Sequence, residues 1–553
     1  MALVPRRIGL LFAVFLALLG LAALRATWLG TVKASSLSSA AATQQATELH
    51  VPARRGPIVD RRGVELAVTE PADDVSATPY LIKDAPAAAA KIAPILGQPE
   101  NEVLRKLAAR DSGFVYLARN LPSKRSLELQ KLEIPGLTFT PTNRRMYPRE
   151  WLASQVLGTV GTDGRGLSGL EYSQDELLRG KDGTRKIVRD ALGDPISVRD
   201  PEPAEPGARL TLTLDAAIQD KVEEVLQGVG AKFRPKGATA VVMDPRNGDL
   251  LALANWPRVD ANDVQGAPDY ARQNRAVGFN YEPGSTFKAI TVAGALEEGD
   301  VTPETTFDLP PQIQVADRTI GESHPRGYVT LSTKEILAQS SNVGAIKIGM
   351  KLGAERFDAW QRRFGFGKKT GVDLPGEEAG QVLDVEDYSG SSMGNLPIGQ
   401  GVSVTPMQMA SAYAAIANGG ILRPARMVRS IDDRTTKVAK GRRVISQETA
   451  ASVREMLKGV LAPGGTAAEA TVPGYELAGK TGTANKVDEA TGLYSESRYI
   501  ASFVGFAPAD RPRLLVTVMV DEPQSAIYGG EVAAPAFQQI TSFALNYLRI
   551  PPE

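Results

Sequence analysis

From Ile8 to Leu24 the chain carries no polar side chain. An apolar run of this length with no polar face belongs in a bilayer or deep in a core. Its place directly behind Arg6 and Arg7, at the N-terminus, points to the bilayer. The run sits near the lower end of the roughly 17 to 25 residues that span a membrane. Arg25 can snorkel and Trp28 can rest at the interface, which lengthens the usable segment. The cationic flank stays inside, so the N-terminus is expected in the cytoplasm. Everything after about residue 30 is expected outside the cell membrane, behind a single-pass anchor. A cleaved secretory signal is the rival reading. The run is long for one, and Leu24-Arg25-Ala26 is a poor cleavage site.

Composition narrows the chemistry available outside. There is no cysteine, hence no disulfide, thiolate nucleophile or Cys-ligated metal. His50 and His324 are the only histidines and neither lies in a triad motif, which disfavours Ser-His-Asp catalysis and a multi-His metal centre. No cofactor is expected. Lysine plus arginine balance aspartate plus glutamate at 63 each, which speaks against nucleic acid as a partner. Catalysis, if present, falls to Ser, Lys, Asp, Glu, Thr or Tyr.

Residues 31 to 49, rich in Ser, Ala, Thr and Gln, read as a helical or flexible stalk. Arg54 to Gly63 and the following Val64 to Val68 read as strands joined by a tight turn, with the arginines on a solvated, salt-bridged surface. Residues 83 to 135 read as helical. Gly161 to Gly169 is a Gly-rich loop without the Gly-Lys-Ser/Thr ending of a phosphate loop, so a structural turn is expected. Lys186 to Arg189 and Pro195 to Val198 suggest a hairpin turning at Gly193-Asp194. The Pro- and Glu-rich stretch Asp200 to Gly207 reads as the main domain boundary.

Beyond it, Arg209 to Leu214 reads as a strand and Ala216 to Val229 as an amphipathic helix. Ala238 to Met243 and Asp249 to Ala254 are strands around Pro245-Arg246-Asn247-Gly248, a strong hairpin signal. Tyr475 to Ala478, Ile500 to Phe506 and Arg513 to Val520 read as further strands, and Ala534 to Leu548 as a closing helix. Short turns between neighbouring strands imply an antiparallel sheet flanked by helices, an α/β (α+β) domain.

Into this frame fall three motifs. Tyr281-Glu282-Pro283-Gly284-Ser285-Thr286-Phe287-Lys288 sets a serine and a lysine three residues apart where a helix begins. Residues i and i+3 share a helix face, so Lys288 can take the Ser285 proton if burial or a second cation lowers its pKa. Free N–H groups at the helix N-terminus suit a developing oxyanion. A Ser-x-x-Lys arises by chance roughly once or twice in a chain this long, so alone it decides nothing. Ser340-Ser341-Asn342 offers a second hydroxyl as a proton relay and an amide for Lys288 and substrate. Lys480-Thr481-Gly482-Thr483, read as an edge strand, offers positive charge that helps keep Lys288 neutral. It also offers hydroxyls for a carboxylate, a glycine for close approach to substrate, and a Thr483 N–H to join the Ser285 N–H as an oxyanion hole. Each motif alone also reads as a cap, turn or strand end; their order and context make the joint signal specific.

Together these motifs resemble the active-site serine penicillin-recognising enzymes, whose signature they match. More narrowly the chain resembles a class B penicillin-binding protein, the monofunctional peptidoglycan D,D-transpeptidase. The likeness extends to Arg55-Gly56-Pro57-Ile58-Val59-Asp60-Arg61, Arg145-Met146-Tyr147-Pro148, Gly166 to Glu171, Gly399-Gln400-Gly401 and Val404 to Gln408. Arg272 to Val277 looks most like the division-associated FtsI type. The resemblance implies a penicillin-binding transpeptidase fold over 206–553, an elongated pedestal or dimerisation domain over 50–205, a stalk over 31–49 and a tail with anchor over 1–30. Neither C-terminal PASTA repeats nor an N-terminal glycosyltransferase region is expected. The implied reaction is crosslinking of stem peptides ending in D-Ala-D-Ala during septal wall synthesis, through an acyl-enzyme on Ser285 that β-lactams also form. Lys288 would be the base, Ser340 and Asn342 would relay protons and hold substrate, and Lys480, Thr481 and Thr483 would bind the terminal carboxylate. An FtsW-type glycosyltransferase and other division proteins are the implied partners. A D,D-carboxypeptidase or β-lactamase-like hydrolase, and a non-catalytic penicillin-binding scaffold or sensor, are the alternatives.

Overall fold

The computed structural model describes residues 3–36, 46–189, 195–488 and 491–552. These fall into two units: Met1–Arg54, Pro71–Asn143 and Gly180–Gly207 form the first, and Arg55–Glu70, Arg144–Arg179 and Ala208–Glu553 the second.

In the first unit Leu3–Thr31 is one helix. Its stretch from Arg6 to Thr31 is long and apolar enough to cross a membrane, and none of it is buried against protein. The central part of the expected stalk lies outside the described residues. Its last part does not behave as a stalk, because Ala46–Val51 is a strand. That strand pairs with Gly183–Arg189, which also pairs with Pro195–Glu202, so the expected hairpin is present as strands. Its turn at Gly193-Asp194 lies outside the described residues.

The stretch read as helical from 83 to 135 is helical only in part. Ala85–Leu96, Glu100–Leu107 and Ser123–Gln130 are helices, but Val115–Pro122 is a strand antiparallel to Ala72–Ala77. The β-prone Val115 and Tyr116 open it, and Leu117 and Leu121 point into the core with Ile92, Val103 and Leu129. Tertiary packing here overrides an apolar spacing that fits a helix.

The second unit is built on a five-stranded sheet in the order Asp249–Trp256, Gly237–Asp244, Leu514–Asp521, Tyr494–Ala507, Ala478–Val487. All its pairs are antiparallel. Both faces are covered, so the strands carry apolar residues at nearly every position while still alternating in direction. Ala240, Val242, Phe503 and Val518 pack under the helices Ala216–Phe233 and Ala534–Tyr547. Val241, Met243, Val504 and Met519 face the opposite core, which holds Lys288–Glu297, Pro406–Ala417 and Gln447–Lys458. The hairpin at Pro245 to Gly248 forms as expected, with Asp244 opposite Asp249. The strand expected from Tyr475 begins later, at Ala478; Tyr475 instead donates its hydroxyl hydrogen bond to the Ile550 carbonyl at 2.6 Å.

Arg55 corrects the expectation of a solvated arginine surface. It is buried, as are Arg145 and Glu171. Glu171 accepts from Arg55 Nε at 2.6 Å and from Arg145 Nε at 2.7 Å. Arg55 also reaches Asp175 at 2.6 Å and the Glu171 carbonyl at 2.6 Å. Three motifs far apart in sequence therefore meet around one carboxylate. Removing that charge leaves two guanidinium groups in the interior, a loss worth about 3–5 kcal/mol. Glu171→Gln is expected to lower stability by that amount in urea unfolding followed by tryptophan fluorescence.

Candidate active site

The chain reaches the serine through a short antiparallel bridge. Tyr281 and Val404 exchange both backbone hydrogen bonds at 2.9 Å. Glu282 accepts from the Gly401 amide at 2.9 Å and from the Tyr494 hydroxyl at 3.1 Å. Burial raises its carboxyl above the ordinary range. Gly284 turns at φ +54°, and a Cβ there would press on the Thr483 carbonyl at 3.0 Å. Its N–H donates to the Gly399 carbonyl at 3.0 Å. Gly399, at φ +78°, has no room for a side chain: its Cβ would lie 2.2 Å from the Gly284 carbonyl oxygen. The Gly399-Gln400-Gly401 motif thus braces the serine turn.

Gly284–Phe287 is a single 3-10 turn that runs into the α-helix Lys288–Glu297. The expected helix start is present with this tighter first turn. Ser285 is half-buried, while Thr286, Phe287 and Lys288 are buried around it. The helix beneath, Pro406–Ala417, opens on a capping box between Thr405 and Gln408 and is buried along its whole length. From it the Tyr413 hydroxyl donates to the Thr286 carbonyl at 2.6 Å, tying the turn to the core.

Lys288 is fully buried, and its amine meets neutral acceptors only. Nζ lies 2.6 Å from the Ser340 carbonyl, 2.6 Å from Asn342 Oδ1 and 3.3 Å from Ser340 Oγ. Ser340 takes a left-handed conformation at φ +59°, uncommon for a residue with a side chain. Carbonyl and hydroxyl of that one residue both come within reach of the amine. Burial depresses the Lys288 ammonium to about 7; Glu322 opposes the shift and Arg326 adds to it.

Lys480 is buried as well, on the edge strand of the sheet. Its pKa is driven well down, by burial first and by the charge of Lys288 second. Sequence reasoning assigned to Lys480 the task of keeping Lys288 neutral. In the structure loss of water is the leading cause for both amines; the charge of Lys288 adds to the shift of Lys480, and Arg326 adds to that of Lys288. Lys480 Nζ lies 3.3 Å from both oxygens of Thr481, and the Thr481 and Thr466 hydroxyls are 2.7 Å apart. Thr483 Oγ accepts from the Gly529 amide at 3.0 Å. Gly482 also has a packing role beside the one expected of it. A Cβ there would strike Ser502 Oγ at 2.3 Å and the Pro283 carbonyl at 2.9 Å. The missing side chain lets the edge strand lie against the serine turn, so two of the motifs pack directly on one another.

Sequence reasoning missed Glu322 and Arg326. The buried Glu322 carboxylate accepts from the Asn342 amide at 2.6 Å, the Val343 amide at 3.4 Å and Ser341 Oγ at 2.7 Å. It sits at the N-terminus of the helix Asn342–Leu352, where negative charge is favoured. Arg326 pairs with Glu322 and donates to Ser341 Oγ at 2.6 Å. The Asn342 side-chain amide donates to the Gly321 carbonyl at 2.9 Å, which aims its oxygen at Lys288. An acid and a base four residues apart, eighteen residues upstream of the motif by number, give no sequence signal of this role.

A half-buried serine on a helix start, a buried lysine held by Ser340 and Asn342, and a Lys-Thr-Gly-Thr edge strand packed on the turn form one site. Residues 238–542 match the penicillin binding protein transpeptidase domain, and residues 50–212 match the penicillin-binding protein dimerisation domain. The chain belongs to the class B penicillin-binding proteins. It is 34% identical to penicillin-binding protein PbpB of Mycolicibacterium smegmatis over 97% of this chain and 89% of the relative. It is 31% identical to peptidoglycan D,D-transpeptidase FtsI of Escherichia coli over 96% and 90% of the two chains. The crystal structure of penicillin-binding protein 3 from Mycobacterium tuberculosis, complexed with aztreonam, is similar at a TM-score of 0.72 and 32% identity. It covers 91% of this chain and 98% of that one. This penicillin-binding protein therefore has the transpeptidase fold with an N-terminal dimerisation domain, as the motifs led one to expect, and is an enzyme of the D,D-transpeptidase family.

Glu322 and Arg326 pull the Lys288 titration in opposite directions. Glu322→Gln is expected to move it to lower pH and Arg326→Gln to higher pH. The Nζ resonance of lysine-labelled protein, assigned with Lys288→Met, reads both shifts; movement in one common direction would refute the assignment.

Proposed function

We propose that the chain crosslinks peptidoglycan stem peptides during septal wall synthesis through an acyl-enzyme on Ser285. The supporting observation is the set of acceptors around Lys288. A neutral amine has two hydrogens to donate, and the Ser340 carbonyl and Asn342 Oδ1, each at 2.6 Å, take both. Its lone pair is left over as a base. Lys288 draws the proton from Ser285 Oγ directly or through the Ser340 hydroxyl. Oγ attacks the carbonyl of the penultimate D-Ala, and the Ser285 and Thr483 amides hold the oxyanion. The C–N bond breaks, and terminal D-Ala leaves with the proton. An amine of a second stem peptide then takes the acyl group and frees Ser285. Lys480, Thr481 and Thr483 bind the terminal carboxylate of the donor, and Gly482 keeps the strand close to the serine. β-Lactams acylate the same oxygen.

In this reading residues 1–30 are the cytoplasmic tail and anchor, with Arg6 and Arg7 inside. The stalk follows and ends where the strand Ala46–Val51 begins; from there to 205 is the pedestal and partner-docking domain, and 206–553 is the catalytic domain outside the cell membrane. An FtsW-type glycosyltransferase and other division proteins are its partners. The likeness to the Escherichia coli peptidoglycan D,D-transpeptidase and to the aztreonam complex supports the substrate and the inhibitor class.

Labelling with a fluorescent penicillin tests the nucleophile. Wild-type protein is expected to give a band that persists over hours, and Ser285→Ala none; a labelled Ser285→Ala would exclude Ser285. Clearing within minutes would mark a hydrolase, and a stable band without crosslinked product from lipid-linked substrate would mark a sensor. Because only neutral Lys288 accepts a proton and burial sets its pKa near 7, acylation should slow about tenfold per pH unit below that value and level off above it. A stopped-flow profile that stays flat through neutrality would remove Lys288 as the base.

A further inference from the structure

A second cavity, of about 310 Å³, lies among residues that take no part in the serine site. Lys368, Lys369, Arg423, Lys440 and Arg442 line it, five cations, and no aspartate or glutamate does. Among the described residues none of the five forms an ion pair. The chain as a whole balances its charges, so composition does not account for such a cluster.

Two buried polar atoms on its wall lack a partner. Ser411, 6% exposed on the buried helix Pro406–Ala417, leaves its hydroxyl unbonded, and Arg423 leaves Nε unbonded. Groups of this kind cost free energy unless a partner satisfies them. Two neighbouring polar side chains are already engaged elsewhere. Gln408 spends its amide nitrogen on the Lys368 and Ala379 carbonyls and its oxygen on the Thr405 amide. Glu377 is held by the amides of Thr370, at 2.7 Å, and Gly371, at 3.2 Å. The frame is rigid. Ile421–Leu422 pairs with Arg442–Arg443, and a Cβ on Gly441 would lie 2.4 Å from Ile421 Cγ2. Burial and the nearby Arg363 depress the Arg442 guanidinium, the mark of cations crowded without compensation.

We propose that this cavity binds a phosphate dianion or diphosphate group, either free or as the headgroup of a lipid. A cavity lined by donors and cations takes an anion, and two guanidinium and three ammonium groups, all but Arg423 exposed to solvent, favour one of more than a single negative charge. A carboxylate answers one of them; a phosphate dianion or diphosphate answers two or more and presents peripheral oxygens to both guanidinium forks and ammonium points. Phe364 and Leu422 give the cavity an apolar side against which an organic substituent can rest.

The full chain in phosphatidylcholine nanodiscs, titrated calorimetrically with inorganic pyrophosphate at constant ionic strength, tests the site. Saturable binding is expected, weakened about tenfold or more in Arg423→Gln/Arg442→Gln. The thermal midpoint of that variant should not fall, because the substitutions relieve repulsion. Ser411→Ala should also weaken binding. Loss of the pyrophosphate signal in nanodiscs containing phosphatidic acid would identify a lipid headgroup as the occupant; equal binding in both would identify a soluble phosphate. Absence of binding in the wild type, or full affinity in the double variant, overturns the proposal. So does a Ser411→Ala protein of full affinity whose binding vanishes with added salt, since that describes a diffuse cation cloud.

Discussion

The catalytic domain depends on one unusual burial. Lys288 is taken out of water with no carboxylate in contact and is held by a carbonyl, an amide oxygen and a hydroxyl. An ammonium in that position is costly, whereas an amine is not. Much of the surrounding architecture can be read as the means of holding those acceptors still. Ser340 adopts a left-handed turn, Asn342 is fixed at both its amide and its side chain, and Glu322 supports the helix end that carries it. On the other side Tyr413, Gly399 and Gly482 keep the serine turn from moving away.

The five-stranded sheet was largely legible in the sequence, for a physical reason. Its strands are short apolar runs closed by unambiguous turns, such as Pro245 to Gly248, and local pattern and tertiary packing agree there. The stretch from 83 to 135 shows the opposite case. Val115–Pro122 carries an apolar spacing compatible with either state, and only the neighbouring strand decides it. Boundaries failed where a side chain had a distant partner, as at Tyr475.

Within the site, the residues named by motif are brought together, and the packing adds causes that spacing does not show. Gly482, expected to let substrate come close, is also required by the packing against Ser502 and Pro283. Burial or a second cation was expected to lower the Lys288 titration, with Lys480 helping; burial leads, and Arg326 is the cation that adds to it. Both were hidden for one reason, since spacing shows which residues are near in sequence and says nothing of which atoms lie across the gap. Glu322 was invisible for the same reason, and so was the meeting of Arg55, Arg145 and Glu171.

That meeting bears on the order in which the chain can fold. Ile58–Val59 is flanked on one side by Leu210–Leu212, and that strand in turn by Val428–Ile431. This segment near the N-terminus pairs at once with the adjoining strand Glu65–Ala77, but its other neighbour comes much later in the chain, and that neighbour's own partner later still. During synthesis its other edge stays open until Leu210–Leu212 follows, and that strand in turn waits for Val428–Ile431. High contact order of this kind slows folding and lengthens exposure of half-formed sheet. A protein assembled this way relies on whatever shields nascent chains until its last third arrives.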